Sequence, residues 1–245
     1  MADWFEAWFD DDYALLYAHR DAGEARLAVG RALQEAPELG RGPVLDLGCG
    51  TGRHLEILRR TNPLAFGMDL SPALLDLAPA DLRPWLLRGD MRTVPVKPGT
   101  LSGVCLWFTP FGYFSDEQNR ALLVDLGRLL RPGGVLLMDY LNADEVVRSL
   151  VPQDTLERAG VRVLSRRVIE GERIVKRMTL TRLDTGETRE AMESVRLYHP
   201  AALQAMARIA GLGLRSVMGT YAGAAFHEDS PRWIGIFEKA PTTDS

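Results

Sequence analysis

Cysteines and histidines are scarce in this sequence, and no long apolar run is present. Each shortage removes a class of protein. Two cysteines, Cys49 and Cys105, among 245 residues make no disulfide framework. Both sit in strand-like apolar text and are expected to be small buried thiols in a reducing, cytoplasmic setting. None of the four histidines stands at metal-ligand spacing from a cysteine or carboxylate, so no metal is expected. No apolar stretch has the length to span a bilayer, and the opening "MADWFEAWFDDDY" is acidic and aromatic, unlike a secretory leader. A basic surplus is missing too. A net charge of −4 gives no ground for strong non-specific attraction to nucleic acid or to an anionic membrane. No internal period indicates repeats.

What is there, 46% hydrophobic residues, suffices for the core of one large α/β unit with an insertion. Up to about Ala36 the text reads as helical, with Trp4, Phe5, Trp8 and Phe9, then Tyr13, Leu16 and Tyr17, at helical spacing. Strands and helices then alternate: "PVLDLG", "GRHLEILRR", "LAFGMDL", "SPALLDLA", "PWLLRGD", "LSGVCLWF", "SDEQNRALLVDLGRLL" and "VLLMDYL". Ser71 and Ser115 are the expected N-caps of two of these helices. Strands apolar on both faces predict a doubly wound, mostly parallel sheet, whose ligands bind beyond the carboxyl ends of the strands.

From Val161 to Tyr198 the pattern switches to period two, broken at Gly171 and at the "DTGE" turn, which predicts a small antiparallel β insertion after strand five. A helix at "HPAALQAMARIAG" and two closing strands, "LRSVMGTYA" and "RWIGIFEKA", follow. The expected division is a helical lid over 1–39, a sheet domain over 40–150 and 199–245, and an inserted subdomain over 151–198. The insertion is expected to roof the pocket or to pair two subunits in a homodimer. Its nine basic and six acidic residues between Val161 and Arg196 fit a solvated sheet face better than a patch for an acidic acceptor.

The segment "VLDLGCGTGRH" places Gly48, Gly50 and Gly52 at alternate positions after a strand ending in Asp46. Glycine permits positive φ and lets a ligand touch the backbone, and the following helix turns its free N–H groups to the same place. A dinucleotide fingerprint has G-x-G-x-x-G spacing. Here the spacing is G-x-G-x-G, and the preceding acid repels a pyrophosphate but attracts an amine or sulfonium. Both features count against a nicotinamide cofactor.

"VLDLGCGTGRH" resembles the first motif of the class I S-adenosylmethionine-dependent methyltransferases. "GMDLSPALL", "RGDMRTVPV" and "LRPGGVLLMDYLN" resemble three further motifs of that family, in order and in register. The resemblance covers residues 40–142 and, more loosely, 201–239. It implies a seven-stranded Rossmann-like sheet, S-adenosyl-L-methionine as cofactor and methyl transfer to a small-molecule acceptor. Asp46 and the loop of Gly48, Cys49, Gly50 and Gly52 would take the methionine moiety. Asp69 would take the ribose hydroxyls with Leu70 against the adenine, Asp90 the adenine amino group, and Met91 the ring. Phe108 and Thr109, in "WFTPFGYF", would lie beside the sulfonium. Phe111, Tyr113 and Phe114 complete an aromatic cluster there, where other members carry an Asn/Asp-Pro-Pro-Tyr motif. Tyr13, Tyr17 and Arg20 would form a lid reaching the donor's carboxylate, and Tyr140 and Asn142 would face the acceptor. Such a reaction is an in-line displacement that needs positioning and dryness more than a signature catalytic residue. The alternatives at this stage are a methyltransferase acting on protein or nucleic acid, a non-catalytic binder of the donor or its product, and a nicotinamide-dependent oxidoreductase.

Overall fold

The computed structural model describes residues 3–17 and 22–241. The N-terminal region forms three helices, α1 (Trp4–Trp8), α2 (Asp11–Leu16) and α3 (Ala22–Glu35). Then come β1 (Val44–Leu47), α4 (Arg53–Thr61), β2 (Ala65–Asp69), α5 (Pro72–Asp76), β3 (Leu86–Arg88), β4 (Leu101–Leu106), α6 (Asp116–Leu129) and β5 (Leu130–Leu141). The Ser71 and Ser115 hydroxyls accept from the Leu74 and Gln118 backbone N–H groups, and Gln118 closes a capping box on Ser115.

The seven-stranded sheet has the order β10-β11-β5-β4-β1-β2-β3, where β10 is Leu212–Met218 and β11 is Arg232–Lys239. Only β11 runs against its neighbours, pairing antiparallel with both β5 and β10. The pleat of β1 separates two cores. Leu45 and Leu47 pack with Leu122, Leu123 and Leu126 of α6 and with Leu203 and Met206 of α8 (Pro200–Ile209). Val44 packs with Ala25, Ala28 and Val29 of α3 and with Leu55 and Leu58 of α4. That is the doubly wound arrangement that strands apolar on both faces call for. The chain runs from β1 outward through β2 and β3, then returns to the other side of β1 as β4, so the order reverses beside β1. Ligands in such sheets bind at this point, beyond the strand ends.

After α7 (Ala143–Arg148) a second sheet has the order β6-β7-β8-β9, with β6 at Gln153–Arg158, β7 at Val161–Glu170, β8 at Arg173–Arg182 and β9 at Thr188–Arg196. One face of it, with Val161, Val163, Met178 and Leu180, buries Trp8 and Leu16 of the N-terminal helices. Its arginines are largely spent inside the molecule. Arg189 pairs with Asp10 and Asp12, Arg182 with Asp12, and Arg196 with Asp116 and Glu172. Arg173 donates to the carbonyls of Gly112, Tyr113 and Phe114, which anchors the loop after β4. Arg182 and Arg189 are thus counter-charges of the acidic N-terminal helices, while Arg162, Arg167 and Arg177 pair with acids of the second sheet itself. Among the described residues no helix has the length and apolarity to cross a membrane.

Candidate donor-binding site

A cleft of about 660 Å³ opens at the carboxyl ends of β1, β2, β3 and β4. Gly48, Cys49 and Gly50 line it from β1, Asp69 and Leu70 from β2, Asp90 and Met91 from β3, and Phe108 from β4. Tyr13 and Tyr17 close it from the lid side, with ring centroids 4.6 Å apart. Ten of the residues expected from sequence therefore meet in one cavity.

Gly48 has φ of +75°, and a Cβ there would come within 2.9 Å of the Pro110 side chain. The loop can therefore be built only without a side chain, which leaves its backbone bare to the cleft. Asp69 shapes the same loop: one carboxylate oxygen accepts the Gly50 N–H at 2.7 Å and the other accepts the Ser71 N–H at 2.9 Å. Burial raises the Asp69 carboxyl above its ordinary value, against the pull of these N–H groups. Asp90 caps the short turn at Met91–Thr93 and is gripped by Arg92, with Nη2 at 2.6 Å. Burial works to raise the Asp90 carboxyl, but the Arg92 hydrogen bonds outweigh it and hold the group below its ordinary value.

Asp46 lies directly under the glycine loop, 1% exposed, and neither oxygen has a close hydrogen-bond partner. Burial first, and then the neighbouring Asp69, push its carboxyl up to about 8, with Arg53 and the Leu55 N–H pulling the other way. A buried acid left in this condition is expensive unless a cation arrives to pair with it. The amino group of a methionine moiety lying on the bare loop would supply that cation, so the residues present fit S-adenosylmethionine.

Besides Asp46 beneath the loop and Arg20, which falls outside the described residues, four expected residues do not line the cleft. Gly52 sits behind the loop as the left-handed N-cap of α4. The Thr109 side chain is turned away, its hydroxyl accepting from Arg232 at 2.6 Å. Tyr140 and Asn142 correct the expectation of an acceptor-facing pair, since both are fully buried. The Tyr140 hydroxyl donates to the Arg196 carbonyl, and burial, then Tyr198, push it above its ordinary range. Asn142 donates to the carbonyls of Glu228 and Ser230 at 2.9 and 2.8 Å, tying β5 to the loop before β11. Tyr140→Phe is therefore expected to keep donor affinity and turnover while losing about 1 kcal/mol of stability, readable as a lowered Tm.

The opposite wall of the cleft consists of rings that the helical spacing of the N-terminus only hinted at. Phe5 and Phe9 of the lid meet Tyr113 and Phe114 of the loop after β4, with Phe5 edge-on to Phe114 at 5.3 Å and Phe9 stacked on Tyr113 at 5.8 Å. Phe111 is core, packed on Tyr140 and Tyr198. The lid is latched to the second sheet: Trp8 and Tyr17 both donate to Glu193, and Lys176 donates to the Tyr17 hydroxyl at 3.0 Å. Among the described residues no cluster of three His, Cys, Asp or Glu side chains is placed to hold a metal ion.

A family model described as a methyltransferase domain matches residues 44–134, the stretch that carries the glycine loop and the first four strands. A cypemycin N-terminal methyltransferase from a Streptomyces species is 27% identical over 216 residues, covering 80% of this chain and 82% of that protein. The dTDP-3-amino-3,4,6-trideoxy-alpha-D-glucopyranose N,N-dimethyltransferase of Streptomyces venezuelae is 29% identical over 224 residues, covering 87% of this chain and 93% of that protein. In fold, the chain is similar to an S-adenosylmethionine-dependent methyltransferase from Clostridium acetobutylicum ATCC 824, with a TM-score of 0.79 at 15% identity, covering 93% and 95% of the two chains. Sheet order, glycine loop, buried acid and matched stretch converge: residues 44–134 match a methyltransferase domain, and the chain has the fold of an S-adenosylmethionine-dependent methyltransferase.

Proposed function

We propose that this protein methylates the amine nitrogen of a small molecule, with the donor held along the strand ends and the acceptor under the aromatic lid. The donor, when bound, supplies a methyl group already activated by its positive sulfur. Asp46 and the Gly48–Gly50 backbone hold the methionine end, Asp69 the ribose, and Leu70, Asp90 and Met91 the adenine. Tyr13 and Tyr17 cover the cleft, and Phe108 forms the wall beside the reacting end.

The observation that carries the small acceptor is the ring wall of Phe5, Phe9, Tyr113 and Phe114 that lines the cleft beneath the N-terminal helices. Such a pocket excludes water, favours a cation against ring faces, and leaves little room for a polymer. The nitrogen acceptor is supported by the two relatives above, whose names specify an N-terminal amine and a sugar amine. An amine that enters the cleft neutral attacks through its own lone pair and needs no base, and the methylated product carries the positive charge that the ring faces favour.

The test is to incubate the protein with methyl-labelled S-adenosylmethionine and panels of aminosugars, amino-terminal peptides and their hydroxyl counterparts, then locate the label by mass spectrometry. Label on nitrogen is expected. Label on oxygen alone contradicts the amine reading, and donor binding without turnover on a broad panel favours the non-catalytic binder.

A further inference from the structure

Phe108 and Thr109 are consecutive non-glycine residues with φ of +57° and +66°. L side chains avoid that region, and such backbone persists only where its surroundings over-determine it. Here the surroundings are an ion pair between the buried Asp139 and the part-buried Arg232.

Asp139, on β5, is fully buried and meets both strained residues. Its Oδ2 accepts the Phe108 N–H at 3.0 Å, and its carbonyl accepts the Thr109 N–H at 2.9 Å. Arg232, the first residue of β11, closes the frame. Its Nε donates to Asp139 Oδ1 at 2.7 Å and its Nη2 donates to the Thr109 hydroxyl at 2.6 Å. Asp139, Thr109 and Arg232 do not line the cleft; the Phe108 ring does. That ring lies stacked on His54 at 5.5 Å, with the Arg53 guanidinium 4.6 Å from its centroid.

We propose that Asp139 and Arg232 are positioning residues, a strut that locks the left-handed Phe108–Thr109 pair so that the Phe108 ring forms the wall of the donor cleft. The inference rests on the reading of the cleft as the donor site. Released from the strut, the pair relaxes toward ordinary backbone angles and the ring leaves its place. The guanidinium fork is essential, because it reaches acceptors on two different residues at once. A lysine keeps the charge and loses one of the two points.

The test compares wild type, Arg232→Lys, Thr109→Ala and the double variant Arg232→Lys/Thr109→Asn. The readouts are S-adenosylmethionine affinity by calorimetry and folding by circular dichroism and Tm. Arg232→Lys is expected to stay folded at 20 °C yet bind donor about tenfold more weakly, the equivalent of one hydrogen bond. Thr109→Ala removes only the hydroxyl end of the strut and should weaken binding in the same direction, which keeps the test open should the arginine variant fail to fold. Asparagine tolerates left-handed backbone, so the double variant should regain about threefold of the loss. Folded variants with wild-type affinity and only a lowered Tm overturn the strut alone. A folded wild type that does not bind S-adenosylmethionine overturns the donor reading, and the strut with it.

Discussion

Asp46→Asn is expected to abolish donor binding while making the empty protein more stable at alkaline pH. The two effects share one cause. The Asp46 carboxyl is pushed from its ordinary value of 3.8 up to about 8 by burial and by Asp69. Between those values the folded chain holds a proton that the unfolded chain has lost, so wild-type stability falls as pH rises through this window and levels off above about 8. The full shift sets an upper bound of about 6 kcal/mol, and relaxation around a buried charge leaves a few kcal/mol. Asparagine has no charge to bury. The Tm gap between variant and wild type should open with pH and be greatest above about 8. Donor affinity behaves oppositely. Leaving a bound cation without its buried partner costs about 3–5 kcal/mol, or roughly two to four orders of magnitude in affinity. Thermal unfolding at pH 6 and pH 9, with calorimetry on the same samples, checks both halves. A variant with no pH-dependent gain in Tm, or with unchanged affinity, removes Asp46 from this role.

Asp69→Ala should weaken donor binding about a hundredfold, the value of charge-assisted hydrogen bonds lost from a buried site. The side chain acts twice. On the proposed donor pose it accepts from ribose hydroxyls, and in the structure it already holds the Gly50 N–H at 2.7 Å. Asp69→Asn separates the two functions. An asparagine oxygen can still accept from Gly50, so that side of the loop is held while the charge and the Ser71 contact are lost, and an intermediate loss of about tenfold is expected. Equal affinities for wild type and Asp69→Ala would show that the ribose lies elsewhere.

The parts of this molecule legible in its sequence are those fixed by near neighbours. The glycine loop, the acids at the ends of β1, β2 and β3, and the serine caps of α5 and α6 all act within a few residues, and the structure has them where the text puts them. What distant partners decide did not show. Tyr140 and Asn142 look like free polar ends of a strand, but their partners are 56 and 86 or more residues away, and those partners turn them into the packing. The charge of the second sheet likewise reads as a solvated face until Asp10 and Asp12, more than 160 residues earlier, are brought against Arg182 and Arg189. Strand β6 was not expected because almost all of it is exposed, leaving "QDTLER" without the alternation that marks a half-buried strand. Asp139 looks like plain strand text, since nothing nearby in the chain signals a part-buried arginine from β11.

The most direct measurement is a titration of the purified, folded protein with S-adenosylmethionine at pH 7, run in two buffers of different ionisation enthalpy. If the bare loop over a protonated Asp46 receives the donor's amino group, binding is saturable, and its heat differs between buffers because Asp46 gives up a proton. Affinity then rises with pH and flattens above about 8. A folded protein that gives no saturable heat with this donor or with S-adenosylhomocysteine, or that binds with no proton exchanged, contradicts the pairing of Asp46 with a cationic ligand.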